Sequence, residues 1–97
     1  MSLNEKEKRH LRKLGHTLEP VLLTGNAGLT PGLLAELDSS LEHHELLKIR
    51  VRAGDRDSRD EMIQAMCTAA GAELVHRIGH VALLWRPNPK QRKVPLS

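Results

Sequence analysis

Residues 21–34 read VLLTGNAGLTPGLL. The apolar run Val21-Leu22-Leu23 stops at Thr24, Gly25-Asn26-Ala27-Gly28 follows, and a new apolar pattern starts behind Thr30-Pro31. This is a strand feeding a glycine-framed turn that feeds a helix. Thr30 is a good N-cap, and Pro31 falls at the first helical position, where its missing N–H costs nothing. Leu29 and Leu34 are placed for a hydrophobic staple, and Leu33, Leu34, Leu37 and Leu41 form the buried stripe of the helix. Pro20 leads into the strand, which is expected to be short and buried over residues 21–24.

Downstream, LLKIRVR at residues 46–52 alternates, with Leu47, Ile49 and Val51 on one face and Lys48, Arg50 and Arg52 on the other. That is a strand with one face on a core. If both strands lie in one sheet, the helix between them makes the connection a crossover joining parallel strands. Upstream, Ser2-x-x-Glu5 fits a capping box, and Leu3, Leu11, Leu14 and Leu18 recur near helical spacing, so residues 3–15 are expected to form a helix ending near Gly15. After a loop at residues 54–57, Asp57 or Ser58 is expected to cap a third helix. Met62, Ile63, Met66, Cys67 and Ala70 line one side of it, and Gly71 sits at its end. Residues 74–78 and 81–86 read as a hairpin turning at Gly79. The order α-β-α-β-α-β-β predicts an α+β fold, a two-layer sandwich with a four-stranded mixed sheet. Residues 1–87 form the domain. Residues 88–97, polar, basic and bearing prolines, read as a flexible tail.

Ninety-seven residues allow one small core. Trp85 is the sole aromatic residue, and Cys67 the sole cysteine, which leaves no disulfide frame and no thiolate cluster for zinc. The apolar runs fall far short of the ~20 residues of a membrane span. No secretory leader is recognisable, and a cytoplasmic, reducing setting is expected. The formal net charge of +3 hides a segregation. Lys6, Lys8, Arg9, Arg12 and Lys13 crowd the first helix, and Lys6, Arg9 and Lys13 share a face by i, i+3, i+7 spacing with Arg12 beside it. Glu36, Asp38, Glu42 and Glu45 make the second helix acidic. A positive face and a negative back are expected, with an anionic partner for the former.

Six histidines and the paired acids Asp55/Asp57 and Asp60/Glu61 invite metal or acid–base chemistry. Only His43 and His44 are close in sequence, and they are expected to point to different sides of a helix end, where they serve its dipole. The acids suit a loop and a helix start. Cys67, beside Met66, reads as core. No metal, cofactor, small-molecule substrate or enzymatic activity is expected. The glycine loop is no Walker A loop, since Gly28-Leu29-Thr30 lacks the lysine, and no dinucleotide fingerprint, since Gly32 is out of register. Two readings stay open: a plain turn, or the Gly-x-x-Gly clamp of single-stranded nucleic-acid binders.

The ordered series of Leu-Gly-His (14–16), Pro-Val (20–21), Gly-x-x-Gly (25–28), LEHHELLK (41–48) and Arg86-Pro87 resembles the YhbY-type proteins, stand-alone CRM (chloroplast RNA splicing and ribosome maturation) domains. The resemblance spans about residues 3–87. It implies an α+β fold similar to the C-terminal domain of bacterial translation initiation factor three, and RNA binding linked to precursors of the large ribosomal subunit. Onto this sequence it carries Gly25, Asn26, Ala27 and Gly28 as the loop, Lys48 as the strand lysine and Arg86 as the strand-end arginine. Trp85 stands where relatives often have Tyr, and Asn26-Ala27 brings no cation to the loop tip. With the cations Lys6, Arg9, Arg12, Lys13, Arg50 and Arg52, these residues make the expected RNA surface. The alternative is a protein-interaction module docking a ribosomal protein or processing factor through the acidic helix.

Overall fold

Side-chain caps set the helix starts. The computed structural model describes residues 3–25, 27–90 and 94, and in it helix α1 runs Glu5–Gly15. Its N-cap is Asn4, whose side chain accepts from the Glu7 amide at 2.8 Å while the Glu7 carboxylate accepts from the Asn4 amide at 3.0 Å. The capping box thus lies two residues beyond the Ser2-x-x-Glu5 frame; Ser2 itself is outside the described residues. Helix α2, Pro31–His44, starts as expected, with the Thr30 hydroxyl accepting from the Leu33 amide. Helix α3, Arg56–Ala70, is capped by Asp55 rather than by Asp57 or Ser58. The Ser58 amide donates to the Asp55 carboxylate at 2.7 Å, and that bond, the largest cause, holds the carboxyl below the usual aspartate range. Gly71 ends α3 at φ 64°, in the left-handed conformation the sequence reading required.

Strands β1 (Pro20–Leu23), β2 (Leu46–Arg50), β3 (Glu73–Ile78) and β4 (Val81–Trp85) form one mixed sheet in the order β1-β2-β4-β3. β1 and β2 are parallel, linked by α2. β2 pairs antiparallel with β4, and β4 with β3. Ile78 faces Val81 across the Gly79-His80 turn, and Gly79 takes φ 57° to make it.

Helices α2 and α3 cover one face. Leu37, Leu41, Ile63, Met66 and Cys67 pack there on Leu47, Ile49, Val51, Ala82 and Leu84, the layer pair expected from the sequence. Helix α1 adds a partial third layer on the other face, where Leu3 and Leu11 bury Leu46, Val75, Leu83 and Trp85. Two expectations change with this placement. Leu14 and Leu18 stay partly exposed instead of joining the core, and β1 is an edge strand with Val21 and Leu23 open to solvent. An edge also suits Pro20, which cannot donate to a ladder.

Gly15 does more than mark a helix end. It is buried in the last turn of α1, and a Cβ there would lie 2.7 Å from a Leu83 methyl. Helix and sheet touch through this glycine. The variant Gly15→Ala should lose about 1–3 kcal/mol through overpacking, read as a lower urea midpoint with an unchanged slope. Thr24, fully buried, ties the exit of β1 to the strand beside it. Its hydroxyl accepts from the Arg52 amide at 2.7 Å, and its own amide donates to the Arg50 carbonyl at 3.0 Å.

Candidate nucleic-acid interface

Because α1 stops at Gly15, it covers only the half of the sheet that carries Leu46 and Trp85. The half that carries Arg50 and Val81 stays open. Between the end of α1 and this open half runs a groove of about 480 Å³. Arg12, Lys48 and Arg50 bring cations to it, and Leu18, Ile78, Val81 and Leu83 bring an aliphatic lining. Glu19 is the one acid among its described lining residues. His16 and His76 also face it. Burial first, then the Arg12 guanidinium, lowers the pKa of His76 from the usual 6.5, which favours the neutral imidazole.

These cations have no anionic partner among the described residues. Among the described residues, ion pairs are made by Arg77 (to Asp60, 2.9 Å) and by Arg86, and none by Arg12, Lys48, Arg50 or Arg52. Lys48 and Arg50 lie two residues apart on one strand, so they share a face about 7 Å apart. Lys6, Arg9 and Lys13 are exposed on α1 but do not line the groove. Arg52 is exposed beside Thr24, at the entry to the glycine loop.

The loop itself is a tight turn in which the Gly28 amide donates to the Gly25 carbonyl at 3.1 Å. That amide is spent inside the turn. Asn26 lies outside the described residues; Ala27 is exposed. Gly28 takes φ 72° and so needs glycine for backbone reasons. Gly25 does not. Its φ is not positive, and a Cβ there would meet nothing within 4 Å. The fold therefore gives no reason for glycine at position 25. At the start of α2, Pro31 has no N–H and the Leu33 amide is capped, which leaves Gly32 as the first-turn donor that neither takes up.

Arg86 is placed elsewhere. It follows β4 at the end of the sheet opposite the loop, and its guanidinium donates to the Asp38 carboxylate (2.7 Å), the Asp38 carbonyl (2.9 Å) and the Ala70 carbonyl (2.9 Å). It clamps α2 to α3. Glu42 lies 3.8 Å away on the same arginine. Glu45 leaves the acidic helix altogether, being fully buried with its carboxylate accepting from the amides of Asn88 and Val94. The chain after β4 is thus held to the body at Asn88 and Val94; residues 91–93 and 95–97 lie outside the described part.

Trp85 is buried beneath α1, as a core ring. Cys67 is buried too, and that burial raises its thiol pKa, which disfavours the reactive thiolate. His43 and His44 meet edge to face at 4.7 Å. No group of three or more potential metal ligands occurs among the described residues, and no helix there is long and apolar enough to cross a membrane. The sequence reading missed His16, Leu18, His76, Ile78 and Val81 as groove residues. Only the unbroken apolar run Val81-Ala82-Leu83-Leu84-Trp85 hinted that the second sheet face mattered.

The order of elements and the loop position bear on ancestry, and so does a match of residues 3–86 to the family model for the CRS1 / YhbY (CRM) domain. The chain belongs to this family. A Pseudomonas aeruginosa protein named a probable RNA-binding protein is 40% identical over 93 residues, covering 96% of this chain and 89% of that one. A Haemophilus influenzae relative, named an RNA-binding protein, is 40% identical over 91 residues, with 94% and 92% covered. The CRM fold recurs in the solution structure of a Staphylococcus aureus protein, which is 30% identical and superposes with a TM-score of 0.80 over 97% of this chain and 100% of that one.

Proposed function

We propose that this CRM domain binds RNA across one continuous surface, from the Gly25–Gly28 turn over Arg52 and Arg50 to Lys48 and the Arg12 side of α1. The observation that carries the reading is the set of cations on the open half-face that have no anionic partner among the described residues. Like charges side by side repel unless an anion lies between them, and a phosphate backbone supplies anions at regular intervals. Lys6, Arg9 and Lys13 add longer-range attraction along α1. The turn contributes close approach rather than many donors, with the Gly32 amide and the α2 dipole facing a phosphate. Arg86 has no part in it.

The RNA is that of the large ribosomal subunit or its precursor, and the role is assistance in assembly. That part of the reading rests on the resemblance to YhbY-type proteins, and on nothing else. It implies a cytoplasmic protein. The rival, docking of a basic protein on the acidic helix, loses ground to Glu45, which is buried, and to Asp38 and Glu42, which face Arg86.

The test is sedimentation of a lysate holding tagged protein, at low and moderate salt, with Gly25→Glu beside it. Gly25 is a cleaner position than Gly28, because an added side chain meets no atom there and no positive φ is strained. Wild-type protein should travel with large-subunit particles and leave them as salt rises. The variant should keep its melting temperature and shift to the top of the gradient. Co-migration of a stable variant with the particles would reduce the loop to a turn.

A further inference from the structure

The groove, at about 480 Å³, has room for more than a phosphate. We infer that it seats one unpaired nucleotide of the bound RNA, its base against Leu18, Ile78 and Val81 and its phosphates against Arg12, Lys48 and Arg50. This rests on the RNA reading above and adds a subsite to it.

The inference begins with exposure. Ile78 is 68% exposed and Leu18 38% exposed, yet both line one groove, with Val81 and Leu83 forming its floor. Exposed aliphatic residues scattered singly are ordinary, but a group of them converging in a concavity marks a contact site. Purely electrostatic binding to a backbone gives no reason for an aliphatic lining. A planar base has an apolar face that can lie against such a floor, and the cations at the rim suit the phosphates that flank it. At about 480 Å³ the groove falls in the range of small-ligand sites. His76 lines the groove and, as a neutral imidazole, can accept or donate a hydrogen bond to a base edge. The occupant is RNA, not an apolar peptide, because Arg12, Lys48 and Arg50 surround the apolar floor with cations that have no anionic partner among the described residues.

The probes are a single-stranded RNA octamer of mixed A and U, and the same ribose-phosphate chain without bases. Calorimetry at low salt should show the base-bearing octamer binding about 10-fold tighter, as expected for burying roughly 55 Å² of apolar surface. In Leu18→Ala/Ile78→Ala, both partly or largely exposed positions, the ratio between the two octamers should fall toward one. Methyl spectra give a second readout. The chain has no Phe or Tyr, its only Trp is buried under α1, and the groove's own rings, His16 and His76, are present with either octamer. Upfield shifts at the Ile78, Val81 and Leu83 methyls that appear only with the base-bearing octamer therefore report a base in the groove. Equal binding of the two octamers, with unmoved methyls, overturns the subsite and leaves the RNA reading standing. Tighter binding with shifts confined to methyls around the glycine turn, such as Leu29 and Leu33, overturns it as well. If neither octamer binds, the RNA reading fails and takes the subsite with it.

Discussion

The double variant Lys48→Glu/Arg50→Glu is expected to bind RNA at least about 100-fold more weakly than wild type at 0.1 M salt. The magnitude follows from counterion release. On a single strand each phosphate contact contributes about 0.7 to the slope of log K against log salt, or about 0.7 log unit at 0.1 M relative to 1 M. Two lost cations remove about 1.4 log units, and repulsion from the two new carboxylates takes the loss to about 100-fold. The salt slope should fall by about 1.4, which a fluorescence-anisotropy titration at four salt concentrations would measure. Stability should change little. Arg50 is exposed and Lys48 half-buried, and neither makes an ion pair among the described residues. Reversal relieves their repulsion with Arg12. The control is Lys13→Glu, on α1 and outside the groove. Longer-range attraction alone would give it a loss of similar size per charge; a groove contact gives Lys48 and Arg50 the larger one. An unchanged salt slope in the double variant would remove β2 from the RNA surface.

How far the sequence could be read depended on whether a residue's role was set by its neighbours in the chain. Thr30-Pro31, Gly71 and the alternation of residues 47–51 were legible because caps, left-handed glycines and strand faces are local matters. Arg86 was not. Its partners Asp38 and Ala70 lie 48 and 16 residues away, so the sequence offered it only as the strand-end arginine of the expected RNA surface and gave no sign that it clamps two helices. Asn4 and Ser2 are rival caps within two residues, a margin at which helix starts are seldom fixed by sequence. The second layer was half-legible. VALLW at 81–85 has no polar residue, and a strand apolar on both faces needs cover on both. Taken seriously, that run places a helix on each side of the sheet, and α1 is the free one. What it does not reveal is that α1 is too short to cover the whole face. The groove exists because Gly15 brings the helix hard against Leu83 and the chain then turns away to Pro20.

Glu45 is where the fold has most to lose. The variant Glu45→Ala is expected to cost about 3 kcal/mol, because its carboxylate accepts from two backbone amides, those of Asn88 and Val94, in a fully buried position. A hydrogen bond to a charged acceptor contributes about 1.5–3 kcal/mol, and a buried amide left without a partner is expensive. For a chain of this size the melting temperature should drop by about 15 °C. A second variant separates the causes. Glu45 sits at φ 61°, ψ −45°, a region strained for any residue with a Cβ. Glu45→Gly loses the same carboxylate but relaxes the backbone, so it should be about 1 kcal/mol more stable than Glu45→Ala. Hydrogen exchange at the Asn88 and Val94 amides should speed up in both variants, while the Leu34 amide, bonded to Thr30 at the far end of α2, should exchange as in wild type unless the whole domain opens. A loss below about 1 kcal/mol in Glu45→Ala would mean that the carboxylate is not structural. The acid would then be available to a protein partner, and the acidic helix would return as a docking surface. A loss of the expected size removes Glu45 from that surface, and with Asp38 and Glu42 set against Arg86 only Glu36 of the four acids is left without a described partner.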